Sequence, residues 1–328
     1  MDAPRQAPFH LSDEGILRWP VGPVTVTRVV EGLTEFSVRM FLPALSEEQI
    51  EQAGAWAAPF FTEDRRRMLL SCHSFVVQTP ESIIVVDTCV GTHQPRAMGT
   101  DPTFLDRLTA AIPGGREAVD AVVCTHLHFD HVGCNTIEID GVLQPTFPNA
   151  RYLVSEAELA ATLDDDHMGV VGESVQPLLD ADALDAVAPD HRIDAWTSLV
   201  PSPGHSPGHV CVAIDTEVGR ALITGDAVHS PLQFTYPAVS AEIADADSTE
   251  ATRTREQLVA ELADTDTLVL GTHFPTPTAG HLKGGVYWSG SKVEDDADSA
   301  YAWSTSAKNL VVFLKQEVTG EVVCVKKG

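Results

Sequence analysis

At 328 residues, 44% of them hydrophobic and with a mean hydropathy of zero, the chain has the balance of a globular protein of one large or two ordinary domains. A formal net charge of −26 at pH 7 argues against a nucleic-acid partner, because affinity for a phosphate backbone rests on Lys and Arg, and no stretch is long and apolar enough to enter a membrane. Residues 1–20 lack the apolar core of a secretory leader and the six cysteines show no C-x-x-C spacing, so a cytoplasmic protein with free thiols is expected.

After an N-terminal extension over residues 1–23, alternation predicts a strand over 24–30. Ser46, followed by Glu47, Glu48, Gln49 and Ile50, predicts a capped helix start. Residues 56–67, with Phe60, Phe61 and Arg65-Arg66-Arg67, form a polar and aromatic insertion open to three readings: a pocket lid, a homodimer contact or a solvated excursion. Strands over 74–78 and 83–87 flank the turn Thr79-Pro80-Glu81-Ser82, and Asp87 stands at the end of the second. His73 and His93 lie nearby with only a weak claim to a site. An amphipathic helix over 104–111 stops at Pro113-Gly114-Gly115.

A β-branched run over 119–124 then delivers four metal-competent side chains within six residues: His126, His128, Asp130 and His131. In extended chain the period of two puts His126, His128 and Asp130 on one face, and a turn after Asp130 would bring His131 round. One cation could take the alternating histidines and a second the Asp-His pair. Imidazole and carboxylate suit zinc, whereas calcium would want oxygen almost exclusively.

Residues 151–155 read as a strand and 156–163 as a helix, while the acidic, breaker-rich stretch 164–194 reads as surface. The Pro/Gly turn V-P-S-P-G-H-S-P-G-H over 200–209 presents His205 and His209 ahead of a strand over 210–214, and spacing alone does not choose between them. The strand over 221–226 ends by projecting Asp226, a carboxylate able to bridge cations about 3.5–4 Å apart. Asp247 and Glu250 have capping-box spacing before a helix with Leu258, Val259 and Leu262 on one face. A strand over 267–270 runs into G-T-H-F-P, so His273 emerges at a strand end. Ligands drawn from well-separated segments favour a catalytic site over a structural zinc knot.

The H-x-H-x-D-H run after an apolar strand resembles the signature of the metallo-β-lactamase superfamily. The P-G-H-S-P-G-H, T-G-D and T-H-F-P elements are similar to those of its dinuclear hydrolases, in the lactonase and organophosphate hydrolase branch, and the resemblance covers about residues 24–282. It implies an α/β fold, an αββα four-layer sandwich of two mixed sheets flanked by helices, with two divalent ions, zinc foremost, at one edge. It places His126, His128 and His205 on one ion, Asp130, His131 and His273 on the other, and Asp226 between them. His205 is then the ligand of its turn and His209 a structural neighbour, while Asp87 resembles the aspartate that orients a ligating imidazole.

The implied reaction is attack by a metal-held hydroxide on a lactone or ester carbonyl of a small molecule, with Asp130 and Asp226 as the catalytic carboxylates. Hydrolysis of an organophosphate triester is the alternative. A β-lactamase is disfavoured because those enzymes generally lack the bridging aspartate, and a catalytically silent metal-binding protein would be expected to have lost a ligand. Phe129, His229, Gln233, Phe234, Tyr236 and Phe274 are the candidate walls of the substrate pocket.

Composition also marks a boundary. Every arginine lies at or before Arg255 and every lysine at or after Lys283. Members of the family commonly end with one strand soon after the last ligand, here 282–288. The hydrolase domain is therefore expected over 24–290. Residues 291–328 are expected to be an appended tail of unknown role, with a polar linker and then a hairpin over 309–325 around Thr319-Gly320.

Overall fold

The computed structural model describes residues 16–91 and 101–288, together with the backbone of strands at Ser304–Ser306, Asn309–Lys315 and Val322–Lys326. In chain order the strands of the main body are β1 (Leu17–Val21), β2 (Val24–Ser37), β3 (Arg67–Gln78), β4 (Ile83–Val86), β5 (Ala121–Val123), the hairpin β6 (Thr136–Ile139) and β7 (Val142–Pro145), then β8 (Arg151–Ser155) and β9 (Leu184–Val187). They are followed by β10 (Thr197–Pro201), β11 (Val210–Asp215), β12 (Arg220–Ile223), β13 (Leu268–Leu270), β14 (Ala279–Lys283) and β15 (Val286–Trp288). One sheet has the order β1-β2-β3-β4-β5-β8-β9 and the other β10-β11-β12-β13-β14-β15. Both are mixed. The β4-β5-β8-β9 neighbours and the β12-β13 pair run parallel, and the other pairs of these two sheets antiparallel.

Alternation along the strands builds the layers. Phe75, Ile84, Val86, Ala121 and Val123 of the first sheet share a core with Val210, Val212, Ile214, Ala221, Ile223, Leu268 and Leu270 of the second. The intervening residues point the other way. Val76, Val85, Val122 and Tyr152 pack against Phe104 and Leu108 of the helix Phe104–Ala111, while Cys211, Leu222 and Val269 pack with Leu258 and Leu262 of the helix Ser248–Leu262. Helix, sheet, sheet and helix make the four-layer αββα sandwich, as expected.

Local signals read from sequence have local counterparts here. The Ser46 side chain accepts from Gln49 N and the Gln49 side chain from Ser46 N, closing a capping box on the helix Glu47–Ala53. Asp247 caps the helix Ser248–Leu262 by accepting from Thr249 N and Glu250 N. The strand expected over 24–30 continues to Ser37.

Four expectations are corrected. Residues 56–67 are a solvated excursion only in their second half, where Glu63, Asp64, Arg66 and Arg67 are exposed: the 3₁₀ helix Gly54–Phe60 and the residue after it bury Phe60 and Phe61 in the core, Phe60 beside Phe274 and Tyr287. The stretch 164–194 is more than surface, since a π-helical turn (Val171–Val175), a short helix (Gln176–Asp180) and β9 bury Val170, Val175 and Leu178. The last body strand is a hairpin, β14 and β15 folding back about Gly284 and Gly285. The turn in the histidine run comes before Asp130, because Phe129–Val132 is a short helix with His128 at its N-cap. His93 and the Thr319-Gly320 turn lie outside the described residues. The strands Asn309–Lys315 and Val322–Lys326 pair antiparallel, with Ser304–Ser306 on the open side of the former. Among the described residues no helix is long and apolar enough to cross a membrane.

Candidate metal centre

The site lies where strands stop. Asp87 follows β4, His126 and His128 follow β5, Asp226 follows β12 and His273 follows β13, all on the carboxyl side of parallel pairs, while His205 comes from the turn between β10 and β11. Parallel strands release their following loops at one edge, so segments far apart in sequence meet there. All seven predicted side chains are brought together.

Two sets are visible. His205 Nε2 lies 3.2 Å from His126 Nε2 and 3.0 Å from His128 Nδ1. Asp130 Oδ2 lies 3.8 Å from His131 Nε2 and 3.6 Å from His273 Nε2. Asp226 stands between them, its Oδ1 3.2 Å from His131 Nε2 and its Oδ2 3.4 Å from His205 Nε2 and 3.0 Å from His273 Nε2.

The far side of each ring fixes what points inward. Thr125 Oγ1 donates to Asp87 Oδ2, leaving its lone pair for His126 Nδ1–H at 3.1 Å. His131 Nδ1–H donates to Asp87 Oδ2 at 2.9 Å, His273 Nδ1–H to the Ser71 carbonyl at 3.0 Å, and His205 Nδ1–H to Asp245 Oδ1 at 3.3 Å. With Nδ1 committed to that bond, each ring in its neutral form offers a lone pair at Nε2. His131 Nε2 and Asp226 Oδ1 are buried without a hydrogen bond. Imidazole lone pairs and a carboxylate converging in a dry site repel one another, and a divalent cation relieves that.

Protonation follows the same imbalance. Burial holds His126 and His205 well below the ordinary imidazole value and His128 at about 4. Burial also opposes charge on His131 and His273, but Asp226 with Asp87 and Asp130 around the former, and Asp226 with Asp130 around the latter, pull both upward. Burial works against the Asp226 carboxylate too, yet His131, His273 and His229 keep it well below the usual range.

His209 is resolved by its bonds. Its Nε2 accepts from Asp226 N at 2.8 Å, so Nδ1 carries the proton and donates to Ser202 Oγ at 2.8 Å, and burial lowers its imidazole to about 3. The ring props the Asp226 backbone. Gly225, held at φ +51°, lets it approach, since a Cβ there would press on the His209 ring. Asp87, itself at φ 57°, also accepts from Thr125 N at 2.9 Å, a left-handed non-glycine backbone of the kind stored at functional sites.

Of the six proposed wall residues four are buried: Gln233, Phe234, Phe274 and His229. Phe234 and Phe274 are buried against Tyr287, and the Gln233 amide is engaged by His229 N, Ser230 N and the Val239 carbonyl. Phe129 and Tyr236 are half-buried, and His229 Nε2 lies 3.2 Å from Asp226 Oδ2 with its ring stacked on His273.

Sequence reasoning missed two supports. Buried Glu158 accepts from Leu127 N at 2.9 Å through one oxygen and from Ser206 Oγ at 2.6 Å and Gly208 N at 3.0 Å through the other, tying both histidine loops together. Asp245 backs His205. Both lie in helical or acidic stretches where periodicity marks nothing, and only their distant partners reveal them.

The Metallo-beta-lactamase superfamily profile matches residues 67–273, from the start of β3 to His273, and the chain belongs to that family. It is 31% identical over 114 residues to the N-acyl homoserine lactonase AiiA of Bacillus thuringiensis subsp. kurstaki, covering 34% of this chain and 40% of that one. With a probable metallo-hydrolase of Mycobacterium tuberculosis it shares 28% identity over 193 residues, 49% of this chain and 57% of the relative, so it spans little more than half the length of that relative. Among solved structures, the hydrolase AbOPH of the β-lactamase superfamily superposes with a TM-score of 0.69 at 26% identity over 84% of this chain and 96% of that one. The dizinc quorum-quenching lactonase AidC has a TM-score of 0.67 at 19% identity over the same shares, a likeness of fold.

Proposed function

We propose that the chain is a metal-dependent hydrolase that holds two divalent cations, zinc foremost, and opens a lactone or ester bond of a small molecule. The observation that carries this reading is the convergence of imidazole lone pairs from both histidine sets on the Asp226 carboxylate. His126, His128 and His205 would hold one ion, Asp130, His131 and His273 the other, with Asp226 shared between them. Held there, the two cations would supply an acidified water and a polarised carbonyl oxygen, so hydrolysis would need no strong protein base.

The protein supplies placement and proton handling. Asp226, 4% exposed, sits deep and is held from both ends by His209 and the surrounding imidazoles, which suits a fixed shared ligand. The Asp130 side chain is 14% exposed, on the same segment as half-buried His128 and Phe129, and this greater access to solvent supports assigning to it the transfer of a proton from water to the leaving alkoxide. Phe129, Tyr236 and His229 are the candidates for substrate contact. The lactonase relatives support a lactone carbonyl, and the acidic surface disfavours polyanionic substrates.

Elemental analysis after zinc reconstitution should find two ions per chain. Asp226→Ala should lose one ion and most of the turnover, whereas His209→Ala should lower stability yet keep both ions. In a parallel panel of acyl-homoserine lactone, aryl acetate, phosphotriester, β-lactam and RNA, kcat/KM should be highest for the lactone or the aryl ester. A chain with one ion or none would end the dinuclear reading, and a triester at the head of the panel would replace the substrate class.

A further inference from the structure

The His205 ring is backed by a chain of charge that runs into the helix Ser248–Leu262. Its Nδ1–H donates to Asp245 Oδ1 at 3.3 Å, and Asp245 Oδ2 accepts from Arg255 Nη1 at 3.2 Å and from Ala241 N at 3.0 Å. The Arg255 guanidinium also donates from Nε to the Pro237 carbonyl at 2.8 Å and from Nη2 to Ser240 Oγ at 3.0 Å. Both side chains of the Asp245–Arg255 pair are 0% exposed.

A buried guanidinium is tolerated where its donors are matched and its charge is paired, and here its fork reaches three points of the loop over residues 237–245. The turn bearing His205 is clamped to the same region: Ala246 N donates to the His205 carbonyl at 2.9 Å, Asp247 N to the Gly204 carbonyl at 2.8 Å, and Thr254 Oγ1 to the Pro203 carbonyl at 2.6 Å. Each histidine set thus has one ring backed by a carboxylate, His131 by Asp87 and His205 by Asp245, whereas His126 is backed by a hydroxyl and His273 by a carbonyl. A carboxylate behind a ligating imidazole fixes its tautomer and orientation and raises its basicity.

We propose that Asp245 and Arg255 are positioning residues of the metal centre: Asp245 aims the His205 lone pair and strengthens it as a donor, and Arg255 holds Asp245 in that role. The pair thereby sets the affinity of the cation position formed with His126 and His128 and leaves the position formed by Asp130, His131 and His273 alone. The inference rests on the reading of His205 as a metal ligand.

Competition with a chromophoric chelator on zinc-loaded full-length chain separates the two. Wild type should release two ions with resolvable affinities. Asp245→Asn, which keeps the shape and removes the charge, should weaken one ion roughly 10- to 100-fold and leave the other unchanged. Arg255→Lys should weaken the same ion to a lesser extent, and adding Asp245→Asn to a His205→Ala chain should change nothing further at the remaining ion. Two ions in wild type with unaltered affinities in Asp245→Asn would overturn the proposal. Fewer than two ions in wild type would overturn the dinuclear reading beneath it. If Asp245→Asn does not fold, imidazole ¹H–¹⁵N spectra of zinc-loaded wild type decide the matter: a hydrogen-bonded proton on His205 Nδ1 is expected, and a His205 ring without that proton would overturn the proposal.

Discussion

Glu31 shows how much a single buried group asks of this fold. It lies on β2 with Oε2 accepting from Val90 N at 2.8 Å and Oε1 from Gly91 N at 3.1 Å, and the Cys72 thiol completes a Glu31, Cys72 and Cys89 cluster behind the histidine run. Burial raises its carboxyl to about 7 against the lowering effect of those bonds. The folded chain therefore keeps a proton that the unfolded chain surrenders above its ordinary value of 4.5, and the associated stability is full below that pH, falls as pH rises and is gone above about 7. The full swing is about 3 kcal/mol. Glu31→Gln should lack this slope, so denaturant unfolding at pH 5 and pH 8 should show the wild type losing more stability across the interval than the variant. Parallel curves for the two proteins would contradict the assignment.

At the scale of elements, the segment joining the helix Glu47–Ala53 to β3 is the clearest case of burial that local pattern hides. Phe60 is 2% exposed, its ring 5.8 Å from Phe274 and 6.1 Å from Tyr287, both edge-on. Those partners lie more than two hundred residues away, so nothing within 56–67 announces the contact. Phe60→Ala should cost about 3–5 kcal/mol through lost burial and the cavity left behind, measured by urea unfolding. A loss under about 1 kcal/mol would return the segment to the surface. The capped helices were legible for the opposite reason: Ser46 with Gln49 and Asp247 with Glu250 each meet their partners within one turn.

For the whole molecule, arginine gives way to lysine between Arg255 and Lys283, and Lys283 itself still lies in β14 of the body. Among the described residues, the strands after residue 303 form a three-stranded sheet of their own and extend neither large sheet. We propose that residues 291–328 are an appended segment that contributes nothing to the metal site. A chain ending at Ser291 should keep its metal content, melting temperature and turnover, and an insoluble or metal-free truncation would show that the segment belongs to the core.

The residue types of the site and their order along the chain were determined by sequence alone, because H-L-H-F-D-H, T-G-D and G-T-H-F-P each place metal-competent side chains at or just after the end of an apolar strand, a relation carried by neighbours in the chain. The fold class followed from the same motifs through family resemblance. Spacing left open which histidine of the Pro/Gly turn faces the site, and the resemblance named His205; the tertiary structure supplies the physical difference, Asp226 Oδ2 and Asp245 across from His205 and Asp226 N and Ser202 across from His209. It also decided that Phe234 and Phe274 are core, that Glu158 ties the two histidine loops, and that Asp245 and Arg255 stand behind His205. Each of these is a contact between separate segments, and its energy depends on burial and partners that do not exist until the two sheets have closed on one another.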